Sequence, residues 1–427
     1  MPPGLPGRGL IRSNPLLEAA DGTRRPSRGA VLKILHIIPS ANRAGGGPIE
    51  GLVQIGGIMA ELGVEQSVLT LDAPTDPHVH AFPRQIFAGG PPHRTGSGVL
   101  ARLGEWARFS PDARDWAKRN VRDYDAVVVN SLWNYATRVA RLALVGSGVP
   151  YVVYPHGMLD PWFRRRYPLK HAAKQALWLF NEGQLIRNAD AVLFTCEQER
   201  LLARQTFWPY RARERVVPYG AGEPPPADPA QIAAFRALVP ALGDRPYLLF
   251  LSRIHEKKGC DLLVDAFARV ADLAPDLDLV IAGPDQVGLV AKLQQQARAL
   301  GIGQRIHWPG MVEGAAKYGA FRGADAFVLP SHQENFGIVV AEALACECPV
   351  LISDQVNIWR EVEQAGAGLV APDTLEGTEH TLRRWLALAD AERRTMRTRC
   401  RPLFKEKFTV RAAAVGLVQV LDEITSS

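Results

Sequence analysis

Short apolar runs that end in glycine, proline or small polar residues recur along this chain, and they alternate with longer stretches whose apolar positions return every three or four residues. In the first half the runs are VLKILHIIPS at 31–40, SVLTLD at 67–72, DAVVVNS at 125–131, YVVYPHG at 151–157, ADAVLFTC at 189–196 and RVVPYG at 215–220. The first leads through a glycine loop into ANRAGGGPIEGLVQIGGIMAELG, residues 41–63, which has helical periodicity. This predicts strand, loop and helix in succession. Alternation of unbroken apolar strands with helices predicts a parallel sheet covered on both faces.

The pattern breaks at GEPPPADPAQ, residues 222–231, which is rich in proline and lacks long apolar side chains. We expect a linker there. Beyond it the alternation restarts with YLLFLSR, CDLLVDAFARVADLAP, LDLVIAGP, VAKLQQQARALG, RIHWPG, DAFVLPS and PVLISD. FTVRAAAVGLVQVLDEITS, at 408–426, has helical spacing and is expected to pack back on the first unit. The expected division is a tail at 1–30, a first Rossmann-like domain at 31–221, the linker at 222–231, a second α/β domain at 232–404 and a returning helix at 405–427. Two such α/β units place a cleft between the carboxyl ends of their sheets, where ligands bind in open α/β folds.

Composition narrows this picture. A chain of 427 residues is too long for one ordinary core, and no apolar run approaches the roughly 18 residues a membrane span needs. The formal charge of +6 admits nucleic acid, anionic lipid or phosphorylated ligands, so its placement matters more than its total. No nucleic-acid motif accompanies it, and we expect no nucleic-acid partner. The five cysteines, at 196, 260, 346, 348 and 400, lack metal-finger spacing and are expected to be reduced thiols. Residues 1–29 contain proline, glycine and arginine without a continuous apolar core, so we expect a disordered tail and not a secretory signal. These features together place the protein in the cytoplasm.

Candidate chemistry concentrates in SHQENFGIVVAEA, residues 331–343, where Glu334 and Glu342 stand eight positions apart around Gly337. Loop gives way to helix at Gly337, and the first amides of a helix with their partial positive charge suit an anion. A phosphate is expected on the amides of Gly337 and Ile338. Glu342, further along the helix, suits a pair of neighbouring hydroxyls such as those of a ribose, and Glu334 would reach the group beyond the phosphate. SRIHEKKG, residues 252–259, follows the strand YLLFL and brings Arg253 and Lys258 to a strand end, where two cations suit a diphosphate. Alone, the glutamate pair reads first as an ordinary exposed acidic pair, and the basic motif is equally a solvated turn.

SRIHEKKG, LVIAGPD, RIHWPG, LPSHQENFGIVVAEALA and PVLISDQVNIWREV, in this order, resemble the donor-binding domain of retaining GT-B glycosyltransferases of the family 4 type. The resemblance covers most of residues 30–425 and is stronger after residue 215. It implies an α/β GT-B fold, two Rossmann-like parallel-sheet domains facing an interdomain cleft. It also implies that Glu342 binds the nucleotide ribose, Glu334 contacts the transferred sugar, and Arg253 and Lys258 bind the donor diphosphate. AGGGP at 44–48 resembles the family's N-terminal glycine loop, which would bring Gly46 and Gly47 to the donor phosphate or sugar. YVVYPHGMLDPW matches the family's histidine near the reacting sugar with His156. The chain departs from its relatives at Glu347, where many have glycine, and at Tyr219, where many have asparagine.

WFRRRYPLKHAAKQALWLF, residues 162–180, combines Arg164, Arg165, Arg166, Lys170 and Lys174 with aromatic and aliphatic side chains. It suits an anionic membrane surface or a lipid-linked diphosphate acceptor, and equally a solvated helix face. The expected activity is metal-independent, cofactor-free transfer of a sugar from a nucleotide-sugar donor to a glycan or polyprenyl-diphosphate-linked acceptor, with retention, in exopolysaccharide or surface-glycan assembly. Localisation is expected to be cytoplasmic and peripheral at the inner face of the cell membrane. The rival readings are a GT-B sugar-nucleotide epimerase, a phosphorylase, a non-catalytic nucleotide-sugar sensor and a Rossmann oxidoreductase. A phosphorylase lacks its pyridoxal-phosphate lysine signature here, and an oxidoreductase lacks a clean G-x-G-x-x-G.

Overall fold

Two parallel sheets carry the chain. The computed structural model describes residues 31–43, 47–90 and 109–426; Gly46 and the expected tail at 1–30 lie outside them. In the first sheet β1 (Leu32–Ile37), β2 (Val64–Thr70), β3 (Gln85–Ala88), β4 (Ala126–Asn130), β5 (Tyr151–Tyr154), β6 (Ala191–Phe194) and β7 (Glu214–Val216) stand in the order 3-2-1-4-5-6-7. The second holds β8 (Tyr247–Leu251), β9 (Asp278–Ala282), β10 (Ile306–Gly310), β11 (Ala326–Leu329), β12 (Val350–Ser353) and β13 (Gly368–Ala371) in the order 10-9-8-11-12-13. Strand order reverses between β1 and β4 in one sheet and between β8 and β11 in the other. Ligand crevices form at such reversals, outside the carboxyl ends.

The central strands are apolar on both faces because helices cover both, and every residue of β4 and of β9 is buried. Two edge strands, QIFA of β3 and GLVA of β13, have only four residues each and fell below the sequence signal. The expected linker is shorter than its composition suggests. Asp228 caps the helix Pro229–Leu238 by accepting from Ala230 N at 2.8 Å, so Pro229, Ala230 and Gln231 are helical.

The last helix, Val410–Thr425, returns to the first sheet. Its Ala414, Leu417 and Leu421 pack with Ile34, Val128 and Val152, completing that core. The two chain crossings between the halves bond to each other, Ala221 N to Phe408 O at 2.8 Å and Val410 N to Ala221 O at 3.3 Å. Glu347 takes a left-handed backbone, φ 59°, which explains why glycine suits that position in relatives. All five cysteines are buried and unbridged. No helix among the described residues is long and apolar enough to cross a membrane.

Candidate functional site

On the second sheet, the loops after β8 and β11 lie backbone against backbone. His332 N donates to Lys257 O at 2.8 Å, Ser331 Oγ donates to the same carbonyl at 2.9 Å, and a methyl at Gly259 would overlap the Pro330 carbonyl. Gly259 has φ +66°, so glycine is required there on two grounds. This packing brings buried Lys258 into an ion pair with Glu334. Glu334 is held extended by its own backbone, accepting from Asn357 N at 3.0 Å and donating to Gln355 O at 3.0 Å.

Gly337 follows at φ 73° and opens the helix Ile338–Ala345, so the amides of Gly337 and Ile338 precede its first internal bond. Glu342, on that helix, is paired with Lys317 at 2.6 Å. Lys317 escaped sequence reasoning because it is a single lysine on a helix, Gly314–Gly323, whose sequence carries no motif around it. Arg253 is exposed and has no ion pair among the described residues. Its guanidinium therefore stands available at the rim.

On the first sheet, the strand ends carry unusual backbone. Ser131 and Trp133 after β4, and His156 after β5, have positive φ (77°, 65° and 50°). His156 is stacked on Tyr154 with ring centroids 5.2 Å apart, meets the edge of Tyr219 at 6.0 Å, and hydrogen-bonds Asn130 Oδ1 through Nε2 at 3.2 Å. The next residue, Gly157, donates its amide to buried Glu199 at 2.6 Å, and Thr195 donates N and Oγ to the other Glu199 oxygen at 2.7 and 2.8 Å. Burial pushes the Glu199 carboxyl up, against the pull of these donors. Glu199 was not foreseen, although a glutamate at the third position of the helix Glu197–Ala203, preceded by threonine, resembles a capping box.

The segment after β1 is anchored to the loop after β2. Asp72 accepts from Ser40 Oγ and Ala41 N, each at 2.6 Å, and Gly47 begins the helix Gly47–Glu61. A methyl at Gly51 of that helix would overlap the Tyr219 hydroxyl, and Tyr219 meets Phe336 of the second sheet at 5.7 Å. The departure to tyrosine at 219 thus fills the space between the two halves.

The two halves touch at this point. Asn335 Nδ2 donates to Thr195 Oγ at 3.3 Å, Arg360 Nε donates to Gln198 Oε1 at 3.1 Å, and Gln333 Nε2 reaches Asp160 Oδ2 at 3.5 Å. Lys257 stands 4.6 and 4.5 Å from the Trp162 and Phe163 ring centres. The basic segment begins there. Its helices Trp162–Arg166, which includes Arg165, and Pro168–Leu177 border a cavity lined by Met158, Asp160, Phe163, Lys170, His171 and Lys174. Lys174 lies over Trp133 at 4.8 Å and Lys170 over Tyr167 at 5.1 Å, while Arg164 donates to Gln205 O at 3.3 Å and Arg166 faces the Tyr167 ring at 5.9 Å. Desolvation lowers the Lys174 ammonium from the ordinary lysine range.

Burial also lowers His156 and His36 to about 4 each, so both rings are neutral at physiological pH. The unfolded chain binds protons at these two sites below about 6.5 while the native state does not, so stability rises with pH across that window. The free energy of unfolding is expected to fall as pH drops from about 6.5 to about 4, by up to roughly 2.7 kcal/mol per pH unit for two protons. Chemical denaturation at a series of pH values checks this, and His36→Phe should halve the slope.

The family profile for "Glycosyl transferases group 1" matches residues 233–401, and that for "Glycosyl transferase 4-like domain" matches residues 46–220. A D-inositol 3-phosphate glycosyltransferase of Geodermatophilus obscurus is 31% identical over 360 residues, spanning 78% of this chain and 75% of that protein. A phosphatidyl-myo-inositol mannosyltransferase of Mycobacterium leprae is 26% identical over 360 residues, 80% of this chain and 83% of that one. Anabaena HepE, solved in complex with UDP, superposes with a TM-score of 0.72 at 19% identity over 92% of this chain and 100% of that chain. At that identity the likeness is one of fold, two facing Rossmann-like domains in the GT-B arrangement.

Proposed function

The chain belongs to the group 1 glycosyl transferases, and from that premise we propose that it moves a sugar, with retention of configuration, from a nucleoside-diphosphate sugar to a hydroxyl of a polyprenyl-diphosphate-linked or other phosphate-bearing glycan acceptor. The observation that carries this reading is one cluster at the carboxyl edge of the second sheet: Lys258 paired with Glu334, the open amides at Gly337 and Ile338, and Glu342 beyond them. The diphosphate lies on Lys258, Arg253 and the two amides, Glu342 takes the ribose hydroxyls as Lys317 yields, and Glu334 contacts the transferred sugar. Gly47, at the head of the helix Gly47–Glu61, approaches the donor from the other domain.

In the transfer, the bond from the anomeric carbon to the phosphate oxygen breaks and the nucleoside diphosphate leaves with the electron pair. The acceptor oxygen bonds to that carbon, and its proton passes to the departing phosphate. Fixed cations and amides stabilise the charge that develops on the leaving group, so the reaction runs without a divalent metal. His156 orients the sugar at the reacting carbon. Calorimetry of nucleoside diphosphates and their sugars in EDTA tests the donor half. One nucleotide is expected to bind, and Glu342→Ala to weaken it about tenfold, the loss of roughly one charge-assisted hydrogen bond. Binding of none by a folded protein overturns the reading.

The acceptor half of the reading rests on the cavity lined by Asp160, Phe163, Lys170 and Lys174. Lys170 and Lys174 face aromatic rings there and form no salt bridge among the described residues, which suits a phosphate. Outside the cavity Leu169, Phe180 and Trp208 are 87%, 72% and 78% exposed, next to the basic helix. Basic and exposed apolar side chains in one region suit an anionic membrane, and this supports a peripheral role in surface-glycan or exopolysaccharide assembly. Sedimentation with vesicles containing phosphatidylglycerol is expected to fall at least fivefold in Phe180→Ser/Trp208→Ser, as two buried aromatic contacts are lost. Equal sedimentation by both proteins removes the membrane from the reading.

A further inference from the structure

His156 sits at the end of a buried chain of polar side chains whose hydrogen bonds can be ordered atom by atom. Asn130, at the end of β4, has its Nδ2 at 3.3 Å from Val128 O. Only an NH2 group can serve that carbonyl, so the amide orientation is fixed and Oδ1 must be the atom facing His156 Nε2. A carbonyl oxygen only accepts, so the imidazole carries its proton on Nε2. The same amide approaches His36 Nδ1 at 3.5 Å with its remaining N–H, which assigns the lone pair of His36 to Nδ1. His36 is 1% exposed and Asn130 5%, so water does not compete with either partner.

With Nε2 occupied, the other nitrogen of His156 is an acceptor. Nothing among the described residues bonds it, and the ring is half-buried at the cleft. We propose that Asn130, backed by His36, is a positioning residue that holds His156 as the Nε2–H tautomer, so that Nδ1 accepts a hydrogen bond from a substrate hydroxyl. This rests on the transferase reading of the cleft. It makes His156 a reader of hydroxyl groups and not a proton donor: a carboxylate at that position of the sugar would face a lone pair. The left-handed backbone of His156 adds to the case, since such a conformation in a non-glycine residue is held only where its surroundings fix it. Asn130 fixes the ring, and Glu199 fixes the following amide.

The groups around the ring are His36 and Asn130 on the sheet, Tyr154 against its face, Tyr219 at its edge, and Glu199 behind the Gly157 amide. Desolvation alone keeps His156 neutral. In Asn130→Asp a carboxylate would still accept from Nε2 but would favour the doubly protonated ring, so Nδ1 would be lost as an acceptor at neutral pH and regained as pH rises.

Long-range proton–nitrogen correlation spectra of the full chain labelled with nitrogen-15 histidine, with His156 assigned through His156→Asn, test this directly. The wild type is expected to show His156 as Nε2–H with unprotonated Nδ1 down to about pH 5. Asn130→Ala should show a tautomer mixture and lose roughly tenfold in kcat, the worth of about one hydrogen bond, with the Kd of the nucleoside diphosphate unchanged. Asn130→Asp should be slow at pH 6 and recover toward pH 8. An Nδ1–H tautomer in the wild type overturns the lock, whatever the Asn130 variants do. The expected tautomer combined with full kcat in Asn130→Ala leaves the lock in place and overturns its role in transfer. Failure of every nucleotide to bind is a separate result, which removes the transferase reading while the spectra still decide the tautomer.

Discussion

Lys258→Met is expected to lower kcat/KM for sugar transfer by about two to three orders of magnitude, the loss seen when a preorganised charge-stabilising group is removed. Lys258 is buried at the carboxyl end of β8, where the strand order reverses, and no other cation among the described residues is as enclosed there. Methionine keeps the length and packing of the side chain, so the change removes charge and leaves little cavity. Its loss also strands Glu334, whose carboxylate would then repel the donor diphosphate at close range. Donor affinity and turnover should therefore both fall. Adding Glu334→Gln removes the stranded charge, so the double variant should recover part of the donor affinity but little of the turnover. Steady-state kinetics and calorimetry across this cycle separate the two contributions. A Lys258→Met enzyme within about threefold of wild type would show that the ion pair is structural and that the diphosphate lies elsewhere.

The residues of this cluster were legible in the sequence for a local reason. A parallel sheet puts every loop after a strand on one side, so charges directly following YLLFL and DAFVLPS had to share an edge. Arg253, Lys258, Glu334 and Gly337 all lie in such loops. What sequence reasoning missed lies in pairings between distant positions. Glu342 meets Lys317 from 25 residues away, Gly157 meets Glu199 across 42, and His156 meets Asn130 across 26. No periodicity encodes those meetings; they follow from how neighbouring strands stack their ends. Local chemistry also misled at the linker, where proline suggested extended chain but Asp228 followed by Pro229 is a helix start. The basic segment was visible as charge, yet its lysines lie over rings contributed partly by Trp133, which only the fold brings near.

Gly157→Ala is expected to hold the two domains apart and to reduce transfer at least tenfold while leaving nucleotide binding intact. Gly157 has φ +76°, a conformation that costs an alanine about 1–2 kcal/mol. The added methyl would also lie 2.9 Å from Cβ and Cγ of Asn335, on the opposite domain, closer than side chains tolerate. Backbone movement at residue 157 is resisted by Glu199, so the strain falls on the contact that can give, the one between domains. That contact carries Asn335 to Thr195 and Gln333 to Asp160, and both bonds should weaken together. The donor cluster lies wholly on the second sheet and its nucleotide affinity should change by less than about twofold, while kcat falls because His156 and the acceptor cavity move away from the sugar. Small-angle scattering in the presence of nucleotide would show a larger radius of gyration than wild type. A variant that closes normally but transfers slowly would instead place the fault in the turn at His156, and Asn335→Gly distinguishes the two: it removes both atoms that the methyl overlaps, so it should restore closure and turnover in Gly157→Ala only if the domain contact is the cause.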